Sequence, residues 1–206
     1  MTTEIKRFNS IIKSKGIDSN NRFKLMKRFV GRYNFILSLE GMYVRGDASI
    51  TDKTVDNYFE LNKLFLLVTT IEVMHRATRT FNPTIVFAKS IDDKSKIKLI
   101  PPIKLLNKIR TNKNLRKYFD DNKSDFIFDN DGKITYISKK IDRFYKSEID
   151  DINGIVIVLR NLFSHGTLTT TPFQLKKDRE MLSELNKYLI DQIEVWFGII
   201  NYELEN

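Results

Sequence analysis

Ile152-Asn153-Gly154-Ile155-Val156-Ile157-Val158-Leu159-Arg160-Asn161-Leu162-Phe163-Ser164-His165-Gly166 is the stretch whose reading decides how this chain folds. Ile152, Val156, Leu159 and Phe163 recur at helical spacing and form one apolar stripe. Ile155, Val158 and Leu162 cover much of the remaining circumference, which predicts a helix buried on more than one side. Into that surface are set Arg160, Asn161, Ser164 and His165, fanning over roughly 140° at about 100° per residue. Gly166 follows at once and suits a helix C-cap. An ordinary core helix has little reason to hold Arg, Asn and His so close together, because each buried polar group needs a partner. The polar arc is therefore the candidate site.

The rest of the chain reads as helices around this one. Residues 3 to about 15 form an amphipathic helix with Ile5, Phe8, Ile11 and Ile12 inward, ended by Gly16. A second helix runs from about residue 20 to about 43, with Phe23, Met26, Val30, Tyr33 and Leu37 on its core side. Arg22, Lys24, Lys27, Arg28 and Arg32 ride on its flanks and read as a solvated face more readily than as an RNA groove. Thr51 or Asp52 caps a long helix reaching about residue 80, with Leu61, Leu64, Val68 and Ile71 as its core stripe. On that helix Glu72, His75, Arg76 and Arg79 stand at i, i+3, i+4 and i+7 and share one face, where intrahelical ion pairs are the plainest expectation.

Asn82-Pro83 stops the long helix, and residues 82–147 are dominated by Lys, Asp and Asn. This segment reads as an insertion within the bundle. In it, Pro101-Pro102 opens a helix through Phe119. Residues 126–128 and 134–137, joined across Asp131-Gly132, read as a β-hairpin. The site helix starts near Ser147-Glu148, and Thr171-Pro172 opens a last helix carrying Leu182, Leu185, Leu189, Ile193, Trp196 and Ile200. The expectation is one all-α domain over residues 1–206, a helical bundle with a small β-hairpin insertion.

Composition narrows the function classes. Hydrophobic residues at 41% and aromatics at 12% argue against disorder in a chain of 206 residues. Without cysteine there are no disulfides and no thiolate metal sites, and two histidines exclude a His-rich one. The first residues lack the apolar core of a signal peptide, and no run approaches the length that crosses a bilayer, so a cytoplasmic protein with no membrane partner is expected. A net charge of +9 favours a polyanionic partner. A composition rich in Lys, Asn and Ile accounts for that charge equally well.

Arg160-Asn161-Leu162-Phe163-Ser164-His165 has the form R-N-x-x-x-H. In this the chain resembles the HEPN domains, all-helical ribonucleases of toxin–antitoxin, abortive-infection and RNA-guided defence systems. Ile71-Glu72-Val73-Met74-His75-Arg76 resembles the E-x-x-H-R segment on an earlier helix of abortive-infection members of the ApeA group. The resemblance implies a HEPN-like bundle and a metal-independent endoribonuclease without cofactors. It implies RNA as the partner, a homodimer, and an antitoxin or activating protein beyond it. Arg160, His165 and Asn161 would be the catalytic residues, with Glu72, Arg76, His75 and Ser164 in support.

The residue types fit that chemistry. RNA carries its own nucleophile, the 2′-hydroxyl, so cleavage needs a base, an acid and positive charge on the phosphate. Histidine titrates near neutrality, arginine grips two phosphate oxygens at once, and Asn161 can orient a neighbour. One histidine substitutes poorly for acid and base together, and pairing two copies of the helix would supply both. Two readings compete with cleavage: a binding module of the same fold without turnover, and a helical regulator whose polar residues only staple the core. The joint presence of Arg160, Asn161 and His165 favours the enzyme.

Overall fold

Thr2 opens the first helix as its N-cap, its hydroxyl oxygen accepting the Ile5 N–H at 3.5 Å. The computed structural model of the chain describes residues 2–16, 21–42, 51–81, 101–121, 133–164, 171–173 and 175–205. Among these, α1 (Thr3–Ser14), α2 (Asn21–Leu37), α3 (Asp52–Phe81), α4 (Ile103–Arg110), α5 (Lys113–Asp121), α6 (Lys133–Tyr145), α7 (Ile152–Ser164) and α8 (Lys176–Glu205) follow in order, with a 3-10 turn over Thr171–Phe173. The two 30-residue helices, α3 and α8, form the spine, each about 45 Å long at about 1.5 Å per residue. Helices α2 and α7 pack on α3, α1 and α4 pack on α8, and α6 packs on α7. No strand occurs among the described residues, so the described fold is all-α. None of the described helices is long and apolar enough to cross a membrane.

Apolar side chains from all eight of these helices merge into one core. Part of it is an aromatic cluster. Fully buried Trp196 meets Phe29 and Phe197 at centroid distances of 6.0 and 5.6 Å, and Phe8 meets Phe197 edge-on at 5.6 Å. These contacts tie α1 and α2 to the middle of α8.

The expected hairpin is corrected by the structure. Ile134, Thr135, Tyr136 and Ile137, assigned to its second strand, lie in α6. The apolar residues Ile134, Ile137, Ile141 and Phe144 repeat at three to four, and four residues are too few to separate a period of 2 from 3.6. Residues 126–128 lie outside the described set. The helix expected through Phe119 is broken in two. Asn112 turns out of α4 and caps α5, its Oδ1 accepting the Leu115 N–H at 3.0 Å. The last α-helix starts at Lys176, because Thr171-Pro172-Phe173 forms the 3-10 turn instead. Asn57 Nδ2 holds that turn through the Phe173 carbonyl at 3.0 Å.

The site helix begins later than its sequence suggests. Residues 146–151 fold as a connection, with Ser147 at a φ of 60°. Arg110 clamps it by donating to the carbonyls of Phe144 and Ile149 at 2.9 and 2.7 Å. Asp151 then caps α7: Oδ1 accepts the Gly154 N–H at 2.8 Å, while Oδ2 lies 2.5 Å from Lys140 Nζ on α6. Asp151 is 3% exposed, so this carboxylate has no room to move.

A pair of glycine substitutions tests that cap. A Cβ on Gly154 would stand 2.6 Å from Asp151 Oδ2, whereas one on Gly31, in mid-α2, would meet nothing within 4 Å. Gly31→Ala should therefore stabilise the protein by about 0.5–1 kcal/mol. Gly154→Ala should gain nothing or lose, despite the same helix preference. Urea titration of both variants reads the difference, and equal gains would rule out a packed Asp151 cap.

Candidate functional site

Helix α7 is held with most of its surface inside the protein. Ile152, Ile155, Val156, Val158, Leu159 and Leu162 are all buried, none more than 6% exposed. The half-open side carries Asn153, Ile157, Arg160 and Asn161. About 100° per residue places these four on one face, with position 164 in line after them. Arg160 and Asn161 thus lie along the side of the helix that remains accessible. The apolar surface of α7 is covered within a single chain, by α3 and by α6, as its apolar circumference predicts.

Arg160 reaches across to α3 and forms an ion pair with Glu72 through its terminal NH2 nitrogen and Glu72 Oε1. The arginine side chain is 20% exposed and the glutamate 48%, so the pair lies at the rim of the bundle. Arg160 Nε is buried without a hydrogen-bond partner among the described residues. Asn161 is half-buried beside it. One turn further along, Phe163 meets Phe65 of α3 at 6.1 Å with their planes at 57°. Phe65 was missed in the sequence because it falls just outside the stripe of Leu61, Leu64, Val68 and Ile71. Its place one turn after Leu61 was the one signal that could have found it.

These two contacts give the relative direction of the helices. Phe163 pairs with Phe65 and the earlier Arg160 pairs with the later Glu72, so α7 runs antiparallel to α3. The C-terminal end of α7 therefore points toward the beginning of α3. His75 and Arg76 follow Glu72 in the opposite direction, with Arg76 about 6 Å further along the axis at about 1.5 Å per residue. The site thus brings Glu72 to Arg160, and leaves the backbone of His75 and Arg76 a turn beyond the pair. The side chains of His75, Arg76 and Ser164, and the whole of His165, lie outside the described set.

Chemically, the arrangement presents a fixed guanidinium. Glu72 occupies one terminal nitrogen and restrains the rotamer, which leaves other N–H groups of Arg160 to meet an anion. Among the described residues no group of three or more His, Cys, Asp or Glu has the arrangement to hold a metal ion.

Fold and site together define an all-helical protein with a rim arginine steadied from a neighbouring helix. No family model, no curated protein and no solved structure matches the chain.

Proposed function

We propose that the protein is a metal-independent endoribonuclease of the defence or toxin type, cleaving RNA by attack of the 2′-hydroxyl on the adjacent phosphate. The observation that carries this reading is the Arg160–Glu72 ion pair. It joins the two sequence segments that resemble HEPN-domain motifs, through residues 88 positions apart in the chain. Ion pairs on an isolated α3 would not require Glu72 to leave its own helix. In the proposed reaction Arg160 grips the non-bridging phosphate oxygens and stabilises the charge of the pentavalent state. His165 moves protons at the 2′-oxygen or the leaving 5′-oxygen, and Asn161 orients the phosphate. Glu72 acts through Arg160 by fixing its rotamer. Because each chain supplies one histidine in the motif, two copies would together provide both acid and base. With most of the apolar surface of α7 already covered, such a homodimer would meet along the half-open face of Ile157, Arg160 and Asn161.

The test is incubation of the purified protein with single-stranded RNA in EDTA. Cleavage should leave 2′,3′-cyclic phosphate and 5′-hydroxyl ends and should spare DNA of the same sequence, which has no 2′-hydroxyl. Ends of another kind, or cleavage that EDTA abolishes, would sink the proposed chemistry. RNA binding with no cleavage, alone and in infected-cell extract, would leave the non-catalytic binding module in its place.

A further inference from the structure

We infer that the outer face of α2 is a binding surface for single-stranded nucleic acid. The inner face of this helix is committed to the core. Met26, Phe29, Tyr33 and Ile36 are at most 1% exposed, and the Tyr33 hydroxyl donates to Glu194 Oε1 of α8 at 2.8 Å. At about 100° per residue, the opposite side carries Lys24, Arg28, Gly31, Arg32 and Phe35 in one stripe, and all five are exposed.

Three features set this stripe apart from an ordinary solvated face. The first is the lack of carboxylates: no Asp or Glu occurs between Asp18 and Glu40. Elsewhere, exposed helical cations meet an acid about a turn away, as in Arg7–Glu4, Arg116–Asp120 and Lys176–Glu180. On α2, Lys24, Arg28 and Arg32 recur every four residues, so like charges lie one above another and weaken the helix by a few tenths of a kcal/mol per pair. With no acid in its first turn, α2 also lacks the usual complement to the helix dipole. A bound polyanion removes both penalties. The second feature is Phe35, a large aromatic left 58% exposed in line with these cations. The third is Gly31 in the middle of the stripe, where even an added Cβ would have nothing within 4 Å, so a chain can approach the helix backbone.

Cations spaced about 6 Å apart along the axis, at about 1.5 Å per residue, can follow a phosphate backbone. An exposed ring among them supplies a stacking platform for a base. Stacking on a side chain needs an unpaired base, which favours a single strand over a duplex. An anionic membrane is the less suited partner, because Phe35 is the one apolar side chain in the stripe and interfacial helices bury a whole apolar face. This surface is separate from the contact between α3 and α7, and binding to it does not require cleavage.

The experiment is fluorescence anisotropy with a labelled 2′-O-methyl oligouridine, which has no free 2′-hydroxyl and cannot be cut by 2′ attack. Wild-type protein should bind it with an affinity that falls as salt rises. Arg28→Gln combined with Arg32→Gln should weaken binding by about tenfold or more and reduce the salt slope by about 1.4, at about 0.7 per phosphate contact. Phe35→Ala should weaken it by roughly tenfold with the slope unchanged, since stacking releases no counterions. All three side chains point to solvent, so thermal melts should match the wild type. Absence of wild-type binding, or variants that bind as well as wild type with the same slope, would overturn the inference. So would α2-dependent binding to phosphatidylserine vesicles by a protein that ignores the oligonucleotide. RNA cleavage without α2-dependent binding would overturn this surface alone, and α2-dependent binding without cleavage would overturn the ribonuclease alone.

Discussion

Arg160→Ala should cut RNA cleavage by a factor of about 100–1,000, the usual effect of removing one preorganised donor to a developing negative charge, while the protein stays folded. The separation of the two effects comes from exposure. A buried ion pair broken on one side leaves an uncompensated charge and is strongly destabilising. Here Glu72 is 48% exposed, so water takes over its carboxylate when the guanidinium is removed. The stability cost should stay below about 1 kcal/mol, as for other rim pairs. Arg160→Lys should not restore activity, because an ammonium lacks the fork that holds two phosphate oxygens. Glu72→Gln should cost less cleavage than Arg160→Ala, since the arginine remains and loses only its restraint. His165→Ala should lower cleavage by about 100-fold or more through the lost proton transfer. Cleavage assays paired with urea titrations of each variant check this. An Arg160→Ala protein that unfolds readily yet cleaves normally when folded would make Arg160 a staple of the bundle.

Trp196→Ala should be the most damaging single truncation in the core, costing about 3–5 kcal/mol. The indole is fully buried among Phe29 and Phe197, where α1, α2 and α8 converge. No nearby chain is free to collapse into the space, because Tyr33 stacks on Phe29 at 6.0 Å and is itself held by Glu194. A loss of that size is a large part of the total stability of an ordinary domain, about 5–15 kcal/mol. Trp196→Phe keeps the ring packing and should cost less than half as much. Circular dichroism during urea unfolding measures both. An alanine variant within about 1 kcal/mol of wild type would mean that this aromatic cluster does not hold the helices together.

The helical core was legible because its residues repeat at 3.6. Ile5, Phe8, Ile11 and Ile12, Ile152, Val156 and Leu159 of the α7 stripe, and Leu182, Leu185, Leu189, Ile193 and Trp196 are buried where their spacing puts them, while Phe163 at the end of that stripe is only partly buried. What could not be read depends on single polar residues that act across the chain. Asn112 breaks one expected helix in two because its amide caps Leu115 and also donates to buried Asp178 Oδ1 at 2.9 Å. Asp151 delays the start of α7 because Lys140 and the Gly154 N–H fix its carboxylate. The caps themselves are local, each reaching three residues on, but Asp178 and Lys140, which hold the capping side chains, leave no mark beside them. At the site, spacing gave the arc of Arg160 and Asn161, and the resemblance drew attention to Glu72. The direction of α7 against α3 was beyond sequence reading, since a helical wheel carries no information about which way a neighbour runs.

The sequence separation of 88 between Glu72 and Arg160 also bears on when the site can exist. A contact that distant in the chain closes a long loop, an entropic cost met only once both helices are made and docked. A growing polypeptide that has emerged as far as α5 carries Glu72 but no Arg160. A fragment beginning at α6 carries the reverse. If the protein acts on RNA in the cell that makes it, the ribosome producing it meets the paired residues only after α7 has been synthesised. A single cut between α5 and α6 would leave Glu72 and Arg160 on separate pieces.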